Sequence, residues 1–311
     1  MSVTTLRAAT RASALALRQT QIVSELLAET CGVTVEPVTV STVGDRRSAT
    51  PIQAMGGKGV FVKEVQAAVL DGRADIAVHS AKDLPSATPP GLVLAAVPRR
   101  GDARDALVGC TLTGLPIGAT VATGSLRRRA QLAALRPDLA FAELRGNIAT
   151  RLDRAGGFDA IVMAYVALNR LGLEPGEVDV LHPDVCVPQV GQGAIAVECR
   201  RDDQQTWRVL SALEHRPSRR AVDAERAFLA ELGGDCSLPA GAYATEAAGV
   251  RLKLTGLLAS PDGSAVVRAT RELMDRDDES DEHDGPEALG RAVARHLLDN
   301  RGGRALLDRA R

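Results

Sequence analysis

The sequence predicts an α/β protein: two consecutive lobes, each a mostly parallel doubly wound sheet flanked by helices, followed by a small α+β domain. Two observations carry this expectation. Short apolar strand patterns alternate with amphipathic helix patterns through residues 6–97 and again through 119–164, and beyond about residue 187 the alternation gives way to helices followed by paired strands. At 311 residues the chain exceeds one ordinary core and suits domains of about 100 to 150 residues each.

Taken in order, "LRAAT" (6–10) reads as a strand, and Ser13 caps a helix whose apolar positions Leu15, Ile22, Val23, Leu26 and Leu27 share one face. "VEPVTV" (35–40) is a second strand. The Gly-rich "MGGKG" (55–59) leads into a helix from Val60 to Leu70, and "ADIAVHS" (74–80) and "LVLAAV" (92–97) are further strands. At "VPRRGDARD" (97–105) the apolar pattern breaks into charge, which marks the first boundary. The rhythm restarts with the strand "ATVAT" (119–123), the helix "SLRRRAQLAAL" (125–135) opened by Ser125, and the strands "AFAEL" (140–144) and "DAIVMA" (159–164). Two such units in succession imply a cleft between them. From "VPQVGQGAIAVECR" (187–200) onward come a strand, two helices, a hairpin of "VRLKLTGLLAS" and "SAVVRATREL" around "PDG" (261–263), and a helix over about 285–300. The acidic run "DRDDESDEHDG" (275–285) reads as a solvated loop, and "GQGAIA" (191–196) as a hinge, because it precedes a strand pattern instead of opening a helix.

Composition removes several classes of function. Lys plus Arg number 38 against 39 Asp plus Glu, so no global field attracts nucleic acid or a membrane surface. Aromatic residues are 2%, too few for base-stacking platforms. A charge at Arg7 precedes any apolar run of signal-peptide length, and no stretch reaches about 18 apolar residues, so a cytoplasmic chain without membrane spans is expected. The five cysteines (Cys31, Cys110, Cys186, Cys199, Cys236) contain no C-x-x-C pair, so neither a disulfide framework nor a metal site is expected, and most should be small buried hydrophobes.

Any anion site must therefore be local. Helix N-termini following strands bind anions through unpaired N–H groups, and two such junctions carry arginines: "ATRAS" with Arg11 and Ser13, and "ATGSLRRR" with Thr123, Ser125, Arg127, Arg128 and Arg129. Cations in a first turn oppose the helix dipole, so propensity does not explain three of them, whereas a bound anion does. Arg145 and Arg151 in "LRGNIATR" follow the next strand, and Arg170 the one after; residues 121–151 hold six Arg against two acidic residues. In "HSAKDLP" (79–85), Lys82 and Asp83 sit at a strand's carboxyl edge. The residues alone leave Asp83 as either an Asx turn or a carboxylate that stabilises a cation or moves a proton, and His79 as a core histidine. Cys236, in the Gly- and Pro-marked "LGGDCSLPAGAY" (232–243), is either incidental or a nucleophile.

Together these stretches resemble the porphobilinogen deaminase (hydroxymethylbilane synthase) family. "RAATRASALALRQTQ", "GGKGVFVKE", "ADIAVHSAKDLP", "GSLRRRAQL", "LRGNIATRL", "VGQGAIAVECR" and "GGDCSLPAGAYA" occur in the family's order and spacing. The resemblance implies two lobes of type II periplasmic-binding fold plus a small α+β domain. Its divisions are residues 1–97 with 194–214 as domain 1, 101–190 as domain 2, and 217–311 as domain 3 carrying the cofactor-attachment cysteine. It implies a transferase that condenses four porphobilinogen molecules head to tail, losing ammonia each time, into 1-hydroxymethylbilane. The work is done on a dipyrromethane cofactor joined by a thioether to the loop cysteine, here Cys236. By the same resemblance Asp83 is the catalytic aspartate, and Arg11, Ser13, Gln19, Lys82, Thr123, Ser125, Arg127, Arg128, Arg145, Arg151 and Arg170 bind cofactor and substrate. Lys58 lies in a mobile active-site loop, and a monomer is implied. Three positions depart from the family's pattern: Asp235 where a second glycine is frequent, Gly124 where a second serine is frequent, and Ala149 in place of a glycine. A two-lobed anion-binding protein or an inactive paralogue is the competing reading; a binding protein has no need of the third domain, and the joint presence of Asp83 and Cys236 speaks against inactivity.

Overall fold

The computed structural model of the chain describes residues 4–46, 59–234, 238–247, 251–274 and 285–310. The chain begins with β1 (Thr5–Arg11), α1 (Ala14–Cys31), β2 (Thr34–Val40), α2 (Val43–Arg46), α3 (Lys63–Leu70), β3 (Ile76–Ser80) and β4 (Leu92–Ala96). Next come β5 (Asp105–Val108), β6 (Thr120–Ala122), α4 (Leu126–Leu135), β7 (Ala140–Ala142), α5 (Ile148–Asp153), β8 (Ala160–Ala164), α6 (Tyr165–Leu171) and β9 (Val178–Val180). The last part holds β10 (Ile195–Arg200), α7 (Gln204–Ser211), α8 (Arg216–Glu231), β11 (Ala240–Ala247), β12 (Arg251–Ala259), β13 (Val266–Met274), α9 (Pro286–Asn300) and α10 (Gly303–Ala310).

Two compact units result, Met1–Gly101 with Gly193–Arg219, and Asp102–Gln192 with Arg220–Arg311. In the first, the sheet order is β2-β1-β3-β10-β4, with β1 parallel to β2 and β3, and β10 antiparallel to both β3 and β4. In the second, the order is β7-β6-β8-β5-β9, with β6 parallel to β7 and β8, and β5 antiparallel to β8 and β9. Both sheets thus carry the same sequence of directions: three parallel strands, one reversed, then one aligned with the first three. The reversed strand comes from opposite ends of the chain's path. β5 opens its unit, whereas β10 joins the first sheet only after the chain has passed through the second.

Local sequence explains the helix that shapes the first candidate site. Ser13, extended at φ −69° and ψ 144°, accepts from Ala16 N at 3.3 Å and opens α1. Val23 and Leu27 are fully buried, and Gly32 at φ 65° ends the helix in the left-handed conformation that glycine adopts without a Cβ clash. The helix expected from Val60 starts instead at Lys63, because Gly59 at φ 69° closes a turn onto which Val62 and Lys63 fold back.

The C-terminal segment forms an antiparallel sheet, β11-β12-β13, packed on α8 and α9 through Phe228, Leu252, Leu254, Val293 and Leu297. Its hairpin pairs Ala259 with Val266 around the "PDG" turn. Buried Glu225 of α8 accepts from Gly191 N at 2.7 Å and Ala244 N at 2.8 Å, tying β11 to the segment that leaves the second sheet. The acidic run 275–284 lies outside the described residues.

Candidate active site

Because β1 and β3 run parallel as neighbours, their carboxyl ends share one edge of the first unit. Arg11 is the last residue of β1, and Ser13 caps the helix after it. β3 ends at Ser80, and one turn of 3₁₀ helix, Ala81–Asp83, then carries Lys82 and Asp83, both half-buried. Gln19 of α1 is buried and donates from Nε2 to Ser80 Oγ at 2.8 Å, fixing the helix to the strand end from which that turn springs. Arg11 is already engaged by a carboxylate: its guanidinium chelates Asp45 and stacks on the Phe61 ring at 4.2 Å. Burial opposes ionisation of Asp45, but hydrogen bonds from Arg11 and from Thr42, whose Oγ1 lies at 2.7 Å, outweigh it and hold the carboxyl below its ordinary range.

The second unit repeats the arrangement. Thr123 follows β6 and accepts from Ser125 N at 3.2 Å; Ser125 caps α4, its Oγ 3.5 Å from Arg128 N. At Gly124 a Cβ would lie 3.0 Å from Leu144 O and 3.3 Å from Glu143 Oε1, so a side chain there would need the chain after β7 to give by a few tenths of an ångström. Arg145 Nε pairs with Glu143 Oε1 at 2.6 Å, and Arg151 donates from Nε to Gly146 O at 2.8 Å. Arg170 lies in the last turn of α6, after β8, where burial pushes its guanidinium down to about 10, still charged at neutral pH. A cavity of about 230 Å³ at this edge is lined by Thr123, Gly124, Ser125, Phe141, Glu143 and Arg129. Arg129, one of the three first-turn cations of α4, is not among the residues to which the resemblance assigns binding. A larger cavity of about 520 Å³, at Val108, Leu152, Phe158 and Leu173, includes none of the candidate residues.

Arg127 and Arg128 differ most from the open anion site that the sequence suggests. Both are buried and turn inward to Asp105, with N–O distances of 2.7 Å and 2.8 Å. The first-turn cations are thus met by an internal carboxylate, but by one charge against two. Burial alone would raise the Asp105 pKa; the charges of Arg127 and Arg128 outweigh it and hold the carboxyl far below its usual range. Nearby Cys186 is pushed up to about 12, by burial first and by Asp105 second, so it stays a thiol at neutral pH. Unfolded Asp titrates near 3.9, so ionisation of Asp105 contributes its full stabilisation above about pH 4, and that contribution is lost as the pH falls toward the lower folded value. The thermal midpoint of the wild type is expected to fall between about pH 4 and pH 2, and Asp105→Asn to flatten that limb in calorimetry; an unchanged slope would contradict the assignment.

Cys236 and Lys58, like Asp235, lie outside the described residues. The segment holding Cys236 is bracketed by α8, which ends at Glu231, and by β11, which begins at Ala240. Of the other cysteines, Cys186 and Cys199 are buried as expected, while Cys110 is half-buried and Cys31 exposed. His79 is a core residue, with Nε2 3.2 Å from Glu198 Oε2.

Comparison with known proteins adds an independent line. The family model for the porphobilinogen deaminase dipyromethane cofactor binding domain matches residues 6–208, and that for the porphobilinogen deaminase C-terminal domain matches residues 220–299. A porphobilinogen deaminase of Roseiflexus sp. (strain RS-1) is 50% identical over 309 residues, covering 97% of this chain and 98% of that protein. The porphobilinogen deaminase of Roseiflexus castenholzii is 49% identical over 304 residues, covering 96% and 97%. Among solved structures, a periplasmic substrate-binding protein of an ABC transporter from Coxiella burnetii is similar at 17% identity and a TM-score of 0.41, over 68% of this chain and 93% of that one. The methionine-binding protein MetQ gives 12% identity and a TM-score of 0.39, over 69% and 92%. Near-complete coverage at half identity, with both domain models matched in order, leaves one conclusion: the chain belongs to the porphobilinogen deaminase family.

Proposed function

We propose that the residues at the two sheet edges divide the work of this family's reaction as follows. The reaction joins four porphobilinogen molecules head to tail with loss of ammonia at each step, and the product is 1-hydroxymethylbilane. The observation that carries the assignment is placement. Every candidate residue among the described ones lies at, or in the segment directly after, the carboxyl end of β1, β3, β6, β7 or β8, all members of parallel pairs. That is where open α/β sheets bind ligands.

The residues present fit a dipyrromethane group, because each of its rings bears an acetate and a propionate, and buried Arg127 keeps Nε and Nη2 without a hydrogen-bond partner among the described residues. When bound, dipyrromethane supplies the unsubstituted pyrrole carbon to which substrate is joined. Cys236 holds it through a thioether. Arg127, Arg128, Arg145, Arg151 and Arg170, with Thr123 and Ser125, take up carboxylates on the second unit, and Arg11 and Ser13 do so on the first. At 4 Å and an effective dielectric of 20, each such ion pair is worth about 4 kcal/mol of Coulomb energy, less the desolvation cost. Arg11 would exchange the Asp45 carboxylate for a ligand's. Lys82 binds the cofactor, Gln19 lines the substrate position, and Asp83 places a negative charge beside the cation that develops as ammonia leaves porphobilinogen. The three-domain division, a monomeric state and a cytoplasmic location complete the reading.

Incubation with porphobilinogen tests it. Four ammonia molecules released per 1-hydroxymethylbilane formed are expected. Binding of porphobilinogen without release of ammonia would favour the anion-binding alternative.

A further inference from the structure

Asp105 opens β5 and is completely buried. Its Oδ1 accepts from Arg128 Nε at 3.0 Å and Nη2 at 2.8 Å and from Gln192 Nε2 at 2.8 Å, while Oδ2 lies 2.7 Å from Arg127 Nη1. Each guanidinium has a second tether, Arg128 Nη1 to Val162 O at 3.1 Å and Arg127 Nη1 to Val187 O. Cys186, Gln131 and Gln192, which also touch the cluster, bring no charge. One carboxylate therefore faces two guanidinium groups, and a net positive charge stays buried. The Nε and Nη2 of Arg127 are enclosed yet lack a hydrogen-bond partner among the described residues. Buried donors without partners are rare because each forfeits its hydration for nothing, so this edge of Arg127 calls for an acceptor from outside the chain.

A second observation links the cluster to the anchor. A Cβ on Gly241 would lie 2.9 Å from Val187 O, 2.8 Å from Pro188 O and 3.0 Å from Arg127 Cδ. Gly241 follows Cys236 by five positions, so the strand leaving the anchor segment lies directly against Arg127. Ala242 N donates to Pro188 O at 3.1 Å and fixes that contact.

We propose that Asp105 is a positioning residue for carboxylate recognition: it grips Arg127 by one nitrogen and Arg128 by two, and so presents the Nε–Nη2 edge of Arg127 to an acetate or propionate of a bound pyrrole. The proposal rests on the reading of Arg127 and Arg128 as carboxylate-binding residues. Asp105 itself touches no ligand; it acts by holding the two guanidinium groups in one orientation and by setting the excess charge at one. Asn at this position keeps the shape and loses the grip, whereas Glu keeps the charge.

The test uses the full chain and two readouts, porphobilinogen kinetics and the intact mass of the denatured protein, which reports covalent cofactor without turnover. Folded Asp105→Asn is expected to raise KM about 10-fold or more with a smaller change in kcat, and to lower the fraction of chains carrying the cofactor mass. Asp105→Glu should restore part of both. Should Asp105→Asn fail to fold, Gln192→Leu takes its place, because it leaves every charge present and removes the amide that donates to Asp105 Oδ1 and to Ala103 O; a KM increase of about 3-fold is then expected. Wild-type KM and full cofactor mass in the folded variant overturn the proposal. Arg127→Gln separates the two levels: if it weakens loading and KM while the Asp105 variant does not, only the positioning role fails, and if it too behaves as wild type, the carboxylate-binding reading fails with it.

Discussion

Asp83→Asn is expected to keep the cofactor and to lose turnover, with kcat reduced by about 10²–10⁴-fold and the denatured mass unchanged. The range is that of a single charge or proton-transfer group acting at a transition state. Ammonia leaves from a carbon that becomes cationic, and the amide of Asn has the size of the carboxylate but none of its charge. Lys82, the adjacent residue proposed to bind the cofactor, is unchanged, so loading should survive. Position supports this separation of roles. The 3₁₀ turn Ala81–Asp83 is set by Ser80, which buried Gln19 holds from α1, and by Ala81 N donating to Ala194 O at 3.0 Å; neither contact involves the Asp83 side chain. A thermal midpoint within a few degrees of wild type is expected. Near-normal turnover in Asp83→Asn would remove its catalytic role.

Cys236→Ser should fail earlier, at loading. A thiol with a pKa near 8.5 is a few per cent thiolate at neutral pH and competent to be alkylated, while a serine hydroxyl at the same place is far less nucleophilic. The variant is expected to fold, because the C-terminal core rests on Phe228, Leu252, Leu254, Val293 and Leu297, none of which changes. It is expected to carry no added mass and to consume porphobilinogen at the background rate. Retained mass in Cys236→Ser would place the attachment on another residue.

The periodic part of this molecule was legible in the sequence. Alternating strand and helix patterns gave the two sheets, Ser13 and Ser125 announced their helices as caps, and the arginines expected after β6, β7 and β8 lie in the segments that follow those strands. What sequence alone misread has a common physical cause, which is that burial inverts the meaning of charge. "VPRRGDARD" does contain the division between the two units, after Gly101, yet its Asp105 begins a central strand and is buried against two arginines instead of facing solvent. Arg127 and Arg128 read as first-turn cations awaiting a bound anion, whereas Asp105 meets them from inside the fold. Nothing local to Asp105 reveals a partner more than twenty positions away. The short strands β5 and β9, four and three residues long, fall below the length at which a period can be recognised, and the reversed sense of β10 depends on a pairing with β3 more than a hundred positions distant. Gly124 was visible as a departure from the family's pattern, but the close approach of Leu144 O to it exists only in three dimensions.

The central claim, that this chain builds a tetrapyrrole on a primer anchored at its own loop cysteine, is tested most directly by the intact mass of the denatured wild-type protein, with peptide mapping. The account predicts an excess over the sequence mass of one dipyrromethane unit, located on the peptide that contains Cys236. An unmodified wild-type chain that consumes no porphobilinogen would contradict it.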